Sequence, residues 1–392
     1  MADHHRAVLG LVSPLATEQV PVVDALGTAL AHDVVAGLAL PSFDNSAMDG
    51  YAVRVTDVSV APTELPVVAD IAAGSGMHAP LPVGAAARIM TGAPVPDGAD
   101  AVIPVEQTDA GTTVVRIDAT PRLGDNIRRA AEDVAPGESV LVAGDELTPS
   151  RIALLSALGL ADVEVGRRPR VGVVSTGTEL VPAGHSLPPG SIHDSNGPLL
   201  QALVRRAGAI DVPHPPLPDD PPTAAKALAE LAADVDVLVT SGGISAGAYE
   251  VVKDVLDAEG GVEFVRVAMQ PGMPQGCGRF AGRPVLTLPG NPVSVFVSFE
   301  LFVRPVLRLL GGHRELDRPR RRGVLREGVR RRPAKEQYLR GTWSTDGTVS
   351  SVGGSGSHLM GALAHADVLY VVPMGEGELA AGETVDVIDV SG

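Results

Sequence analysis

Between Val235 and Asp254 the chain reads VDVLVTSGGISAGAYEVVKD, and this stretch limits the folds open to it more than any other. Val235, Val237, Leu238, Val239 and Thr240 make an apolar, β-branched run, the pattern of a strand buried on both faces. Ser241, Gly242 and Gly243 interrupt the run, and a helix is expected after them. A strand covered on both faces belongs in a largely parallel sheet flanked by helices, and such sheets bind ligands at the carboxyl ends of their strands. Glycines at that point let a phosphate-bearing ligand approach the backbone, with helix N–H groups and the hydroxyls of Ser241 and Ser245 as donors. A lone SGG is more often a tight turn with no ligand, so the neighbouring segments decide its meaning.

Those segments repeat the pattern. From about residue 169 the order is strand VGVVST, helix GPLLQALVRRAG, a Pro-rich loop, helix TAAKALAELAAD, strand VDVLVT, a helix, strand VEFVRVAM, strand PVLTLP and helix PVSVFVSFELFV. This predicts an α/β domain over 169–317 with a doubly wound, mainly parallel sheet. Three strand ends carry polar, Gly-containing loops, STGTEL at 175–180, SGGIS at 241–245 and LPGNPVS at 288–294, and in such a sheet they point to one edge. No GxxxxGK(S/T), HExxH or nucleotide-binding GxGxxG is present.

The rest of the chain reads as further domains. Residues 1–40 look helical and then extended, with Val20, Val22, Val23, Leu26, Leu30 and Val34 at roughly helical spacing; 134–168 read as strand, turn and helix, with Thr148-Pro149-Ser150 as a start and Gly159 as a stop. Between them, 41–133 has short Val/Ile/Ala runs broken by Gly and Pro, a β-rich insert. Its loop PSFDNSAMDGYAV suits a metal or phosphate-bound cation, or else an Asx-turn that caps its own backbone. Thr91 and Gly92 follow a strand where they can donate to a ligand, and Arg128 and Arg129 stand beside Glu132 and Asp133 as a surface patch. From about 318 to 392 the strands GTVSSV, DVLYVVP and ETVDVIDV predict a compact β-barrel or sandwich.

Composition excludes several functions. A formal net charge of −16 argues against nucleic-acid binding, which draws on many phosphate contacts. Nine arginines between Arg314 and Arg332 go against the trend; a solvated linker and exposed strand face accounts for them more readily than a polyanion site. The longest apolar stretch, Val293–Leu307, contains Glu300, Arg304 and Pro305 and so is a buried helix, not a membrane span. Cys277 is the one cysteine, which leaves no intrachain disulfide or multi-Cys zinc site, and without a signal-peptide layout a cytoplasmic protein is expected.

Taken together, PSFDNSAMDGYAV, ARIMTGAPVP, NIRRAAEDV, VVSTGTEL, HDSN, TSGGIS, LPGNPVS and GGSGSHL, in this order over nearly the whole chain, closely resemble the molybdopterin molybdenumtransferase family, MoeA type, similar to the gephyrin E domain. The resemblance implies a cytoplasmic homodimer with a discontinuous helical and extended N-terminal domain (1–40 plus 134–168), the β-rich insert (41–133), a molybdopterin-binding α/β domain (169–317) and a C-terminal β-barrel (318–392). It implies a transferase that takes adenylylated molybdopterin and molybdate, inserts the metal at the dithiolene and releases AMP with Mg²⁺. A molybdopterin adenylyltransferase and cofactor-accepting enzymes are implied as partners, with no role for nucleic acid or membrane.

By motif, Asp49, Asp133, Glu179, Asp219 and Glu250 resemble the family's acidic positions, catalytic and metal-binding, with the second domain supplied across the dimer. Thr91, Arg128, Ser175, Gly177, Asn196, Ser241, Gly242, Gly243, Ser245, Lys253, Pro289, Gly290, Asn291, Pro292 and Ser294 resemble those that hold the pterin and its phosphates. Carboxylates in such a set suit Mg²⁺, which takes a couple of them with substrate phosphate and water. Where relatives commonly have KPGKP this chain has QPGMP, so Gln270 and Met273 replace two lysines; Lys253, Arg128, Arg129, Arg340 or the basic run are left to supply the charge. Glu250 stands where many relatives have Asp. A non-catalytic carrier, and an enzyme that adenylylates molybdopterin, are the alternative readings; the retained acidic set and the additional domains favour metal insertion.

Overall fold

The computed structural model describes residues 1–218, 220–244 and 251–391. Asp219, Ser245 and Glu250 therefore lie outside the described residues. The chain forms two compact units, one of Met1–His32, Ala143–Pro149 and Asp162–Gly392, the other of Asp33–Val142 and Ser150–Ala161.

In the larger unit, helix α1 (Ala2–Leu9) precedes strand β1 (Thr17–Pro21), which pairs antiparallel with β2 (Asp162–Gly166). The helical spacing from Val20 to Val34 is therefore not a helix. Gly27 sits at φ +75°, and the N–H groups of Leu30 and Ala31 donate to Asp145 and Glu164 carbonyls, so distant chain satisfies the backbone that a helix would have satisfied locally. Val23 and Leu26 are exposed there and cover no core.

The α/β layer follows as β3 (Arg170–Ser175), α2 (Asn196–Arg206), β4 (Ile210–Pro213), α3 (Pro221–Ala233), β5 (Val237–Ser241), α4 (Val251–Glu259), β6 (Val262–Arg266), β7 (Pro274–Phe280), β8 (Arg283–Leu288), α5 (Pro292–Ser298) and α6 (Arg304–Leu310). A π-helical turn, Phe299–Val303, joins the last two. The strand order is β4-β3-β5-β8-β7-β6, the first four parallel and β7 antiparallel to both neighbours. This is the doubly wound, mainly parallel sheet that the alternation predicts.

Period-2 geometry divides each strand between two cores. Val171, Val173, Val237, Val239, Leu286 and Leu288 join Leu200 and Leu203 of α2, Val295 of α5 and Val306 of α6. Val174, Leu238 and Val285 face Leu228 of α3 and Val252 and Leu256 of α4. Sequence periodicity misses β7, whose glycines lower its strand propensity. They are needed for packing: a Cβ on Gly276 would lie 2.3 Å from Thr287 Oγ1, and one on Gly278 would lie 2.0 Å from the Gly261 carbonyl oxygen. Cys277 between them is buried.

Strands β9 (Arg320–Leu325), β10 (Glu336–Trp343), β11 (Thr348–Ser351), β12 (Val368–Val372) and β13 (Thr384–Asp389) close in the order β10-β11-β9-β13-β12, with β12 pairing back onto β10. Closure leaves no free edge. Leu325, Leu339, Val349, Tyr370, Val385 and Val387 fill the interior, while Tyr338, Leu369, Val371 and Ile388 pack outward onto the α/β core. Five of the nine arginines of the 314–332 run are exposed and ion-paired: Arg314 with Asp145, Arg320 and Arg322 with Asp386, Arg326 with Asp346, and Arg321, stacked on the Trp343 ring, with Asp389. Arg318 instead meets the buried carboxylate of Glu300, which Arg206 also holds.

The smaller unit carries a five-stranded sheet ordered Ala101–Pro104, Gly50–Val53, Ala86–Ile89, Thr63–Ile71, Val114–Ile117, the β-rich segment expected. Tyr51, Val53, Ile103 and Ile117 fill one face and Ala52, Ile71, Ile89 and Val102 the other. Among the described residues no helix is long and apolar enough to cross a membrane.

Candidate active site

The chain leaves β3 in one direction, to β4, and leaves β5 in the other, to β6, so the crevice between the carboxyl ends of β3 and β5 is the topological switch point of the sheet. The loops after β3, β5 and β8 meet there. Thr176 N–H donates to Ser241 O at 3.1 Å, Gly242 N–H to Leu288 O at 3.0 Å, and Asn196 Nδ2 to Gly290 O at 2.7 Å. Gly242 holds φ +88°, and a Cβ there would stand 2.8 Å from Thr176 Oγ1, so the SGG turn requires glycine for its backbone. Gly177 lies directly under the carboxylate of Glu179, whose Oε2 would be 2.5 Å from an added Cβ.

These loops floor a cleft of about 1450 Å³. Gly177, Glu179, Asn196, Gly242, Gly243, Pro289, Gly290, Asn291, Pro292 and Ser294 all line it, so ten of the residues singled out in the sequence share one surface. Ser175 and Ser241 are buried beneath it. The Ser175 hydroxyl donates to Asp194 Oδ2 at 2.7 Å, while Asp194 Oδ1 accepts Gly197 N–H at 3.0 Å, which commits Asp194 to holding the start of α2. Lys253 is not among the lining residues; its Nζ sits over the Phe264 ring, 6.0 Å from the centroid.

Sequence reasoning missed part of this cleft. The barrel side contributes Arg332 and Lys335, neither with an ion-pair partner among the described residues, together with Ser355, Ser357 and His358 from the GGSGSHL segment. That motif is visible in the sequence, but nothing local shows that a loop more than sixty residues beyond LPGNPVS returns to it. The tie is tertiary: Val293 N–H, in the first turn of α5, donates to Ser357 O at 3.1 Å. Gln270 and Met273 line the same cleft, on a strap pinned by Gln275, whose Nε2 donates to Gly272 O at 2.7 Å and Ser298 Oγ at 2.6 Å. The cleft thus lacks cations at 270 and 273 but carries two on its barrel wall.

Asp49, Thr91, Arg128 and Asp133 belong to the smaller unit. Asp49 Oδ1 accepts both the N–H and the hydroxyl of Thr91 at 2.7 Å. Those two bonds, with Arg88 nearby, hold its carboxyl below the usual range. Thr91 is therefore spending its donors on Asp49. In the same loop Asp44 accepts Ala130 N–H at 2.8 Å and Arg129 at 2.6 Å, and is likewise lowered, first by the backbone bond. Asp133 and Arg128 are exposed.

A ligand cleft at the switch point of a doubly wound sheet, walled by a closed five-stranded barrel, defines a multidomain α/β binding protein. Family models cover nearly the whole of it: "MoeA N-terminal region (domain I and II)" matches residues 1–159, "Probable molybdopterin binding domain" 172–309 and "MoeA C-terminal region (domain IV)" 322–390. The chain is 48% identical over 402 residues, 99% of each chain, to molybdopterin molybdenumtransferase 2 of Mycobacterium tuberculosis. It is 36% identical over 382 residues, 95% of this chain and 94% of the other, to the molybdopterin molybdenumtransferase of Haemophilus influenzae. The crystal structure of the molybdopterin biosynthesis MoeA protein from Pyrococcus horikoshii OT3 superimposes with a TM-score of 0.83 at 27% identity, covering 99% of both chains. The chain belongs to the MoeA family of molybdopterin molybdenumtransferases.

Proposed function

We propose that this chain is a transferase of molybdenum cofactor biosynthesis that inserts molybdate into adenylylated molybdopterin and releases AMP. The observation that carries the reading is the composition of the cleft: glycine-bearing strand tips at the switch point, the Glu179 carboxylate, and the cations Arg332 and Lys335, which have no ion-pair partner among the described residues, in one cavity large enough for a nucleotide-sized substrate.

The backbone of Gly242, Gly243 and Gly290 gives an extended anionic substrate close approach without side chains in the way. Arg332 and Lys335 supply the attraction for phosphate or molybdate oxygens that Gln270 and Met273 do not. Glu179 is the carboxylate of the cleft whose oxygens no described protein donor takes, in contrast to Asp194. Among the described residues no group of three or more His, Cys, Asp or Glu encloses a metal by itself. Mg²⁺ is held typically by one or two carboxylates plus substrate phosphates and water, so the donor set fits it, with Glu179 as a ligand and Asp219 and Glu250 as the further candidates. A cation held there would offset the repulsion between carboxylates and pyrophosphate and would supply electrostatic stabilisation of charge on the departing AMP oxygens.

The same reading takes the protein as a cytoplasmic homodimer in which Asp49 and Asp133 serve the reaction, with domain limits at 1–40 plus 134–168, 41–133, 169–317 and 318–392. Its partners are a molybdopterin adenylyltransferase upstream and cofactor-accepting enzymes downstream. Purified protein incubated with adenylylated molybdopterin, Mg²⁺ and molybdate tests it: AMP release that requires both molybdate and Mg²⁺ supports insertion. Retention of the adenylylated pterin without turnover makes the protein a carrier and refutes it.

A further inference from the structure

The barrel and the α/β layer meet along a contact that has a cavity on each side. On one side is the cleft, with Gln270 and Lys335 in its wall. On the other is a second cavity of about 690 Å³, lined by Leu9 of α1, Glu300, Arg318, Glu336, Tyr338 and Ile388, which shares no lining residue with the cleft among the described residues. At the cleft the two parts are joined by backbone, where the short strand Met269–Gln270 pairs in parallel with Glu336 and Gln337 of β10. Between the cavities Tyr338, Leu369, Val371 and Ile388 pack on the α/β core, and apolar packing carries no direction. At the second cavity the joint is made by a carboxylate.

Glu300 lies in the π-helical turn, buried with Phe299, Phe302 and Val303. Its Oε2 accepts Arg318 Nε at 2.6 Å and its Oε1 accepts Arg206 Nη2, while Arg206 Nη1 donates to Val390 O at 2.8 Å. Arg318 stands just before β9 begins and Val390 directly after β13 ends, so the chain is tied to the same carboxylate where it enters the barrel and where it leaves it. The residues leading to Arg318 are held as well: Arg308 Nε donates to Glu315 O at 2.6 Å and Arg304 Nη1 to Leu316 O at 2.9 Å. Those bonds stop short of the barrel, and the bond to Glu300 extends the hold towards its first strand. Asp317 meets His5 of α1 at 2.9 Å, but that pair is exposed and contributes little. Guanidinium–carboxylate bonds are directional and charge-assisted, and breaking a buried pair leaves charge uncompensated, so this tie fixes an orientation that apolar packing leaves free.

We propose that Glu300 is a positioning residue for the reaction: by tying both ends of the barrel it sets the span of the cleft, and so the affinity for a substrate that touches the strand tips and the barrel wall together. This deepens the proposed function and rests on it for the identity of that substrate.

The test uses Glu300→Gln, which removes the charge that both arginines share and keeps the volume, and Arg318→Gln, which removes the tie at the barrel's entry. Each is compared with the wild type by hydrogen–deuterium exchange without substrate, and by the dependence of AMP release on adenylylated molybdopterin with molybdate and Mg²⁺ saturating. In both variants exchange over 316–321 is expected to quicken by at least about tenfold, the effect of losing one charge-assisted hydrogen bond, while β12 of the barrel and β5 of the sheet exchange as in the wild type. The KM should rise about tenfold in Glu300→Gln and about threefold in Arg318→Gln, with kcat within about threefold, as expected when binding and not the chemical step is impaired. A carboxylate that serves folding alone would lower the active fraction, and hence kcat, with KM unchanged; that result overturns the proposal, as does wild-type exchange over 316–321 in both variants. If Glu300→Gln does not fold, Arg318→Gln decides by the same two measurements. A wild type that binds adenylylated molybdopterin but releases no AMP removes the proposed function, and the Kd of that complex, about tenfold higher in Glu300→Gln, then decides the role of Glu300.

Discussion

Two glycines of the cleft loops, Gly242 and Gly290, are indistinguishable as motif residues, yet the structure gives them different duties. Gly242 sits at φ +88°, where an L-residue costs about 1–2 kcal/mol. Its added Cβ would also lie 2.8 Å from Thr176 Oγ1 and 3.0 Å from the Thr176 carbonyl oxygen, and moving backbone to relieve such a contact costs about 1–3 kcal/mol. Gly290 has no unusual φ, and the nearest atom to its added Cβ is Gly242 Cα at 3.5 Å, an ordinary contact. Gly242→Ala should therefore lose about 2–4 kcal/mol, while Gly290→Ala should stay within about 0.5 kcal/mol. At about 2–4 °C per kcal/mol for a unit of this size, the expected drop in melting temperature is roughly 5–15 °C for the first variant and near zero for the second. Scanning calorimetry of both variants measures this. In the Gly290→Ala protein any defect should then fall on substrate affinity, because the methyl enters the cleft and not the turn. A Gly242→Ala protein that melts with the wild type, or a Gly290→Ala protein that melts as early as Gly242→Ala, would refute the assignment of backbone strain to one position and ligand clearance to the other.

Restoring lysine at the strap, in a Gln270→Lys/Met273→Lys variant, should lower half-saturating molybdate severalfold, since each added cation joins Arg332 and Lys335 on the same cleft; an unchanged molybdate titration counts against it. Asp49→Ala and Glu179→Ala chains, inactive separately, should recover part of the AMP release when co-assembled; no recovery in verified mixed dimers removes the idea that the two carboxylates serve from different copies. His4 and His313 are each lowered to about 4, chiefly by burial, so the unfolded chain, titrating near 6.5, takes up protons that the folded chain refuses. Stability is then full above pH 6.5 and falls as pH drops towards 4, by up to about 3 kcal/mol per ring. Urea midpoints between pH 7.5 and 5 should show that slope, and a His4→Leu/His313→Gln variant should flatten it.

Much of this molecule is written locally. The unbroken β-branched run at Val235–Thr240 and the strand-helix alternation after residue 169 predict a doubly wound sheet, and Thr148–Pro149 and Gly159 predict the separate helix Pro149–Ala157, because each depends on near-neighbour geometry: side-chain period, capping and turn preference. The glycine loops at the strand tips were legible for the same reason, since a parallel sheet sends its strand ends to one edge wherever they stand in the sequence. Spacing failed at Val20–Val34, where distant strands supplied the hydrogen bonds, and at Pro274–Phe280, whose glycines make room for Thr287 and Gly261.

What the tertiary structure alone decided is which charges meet. Arg332, Lys335 and the 353–358 loop reach the cleft because a closed barrel packs on the α/β core, and Val293 then fixes the loop's place. The Asp194 carboxylate is consumed by Ser175 and Gly197 while that of Glu179 is not, although both read in sequence as acids beside a glycine-containing motif. Sequence pattern determines which way an element's side chains face over a few residues; pairing between groups far apart in the chain is set only when the packed core brings their backbones together.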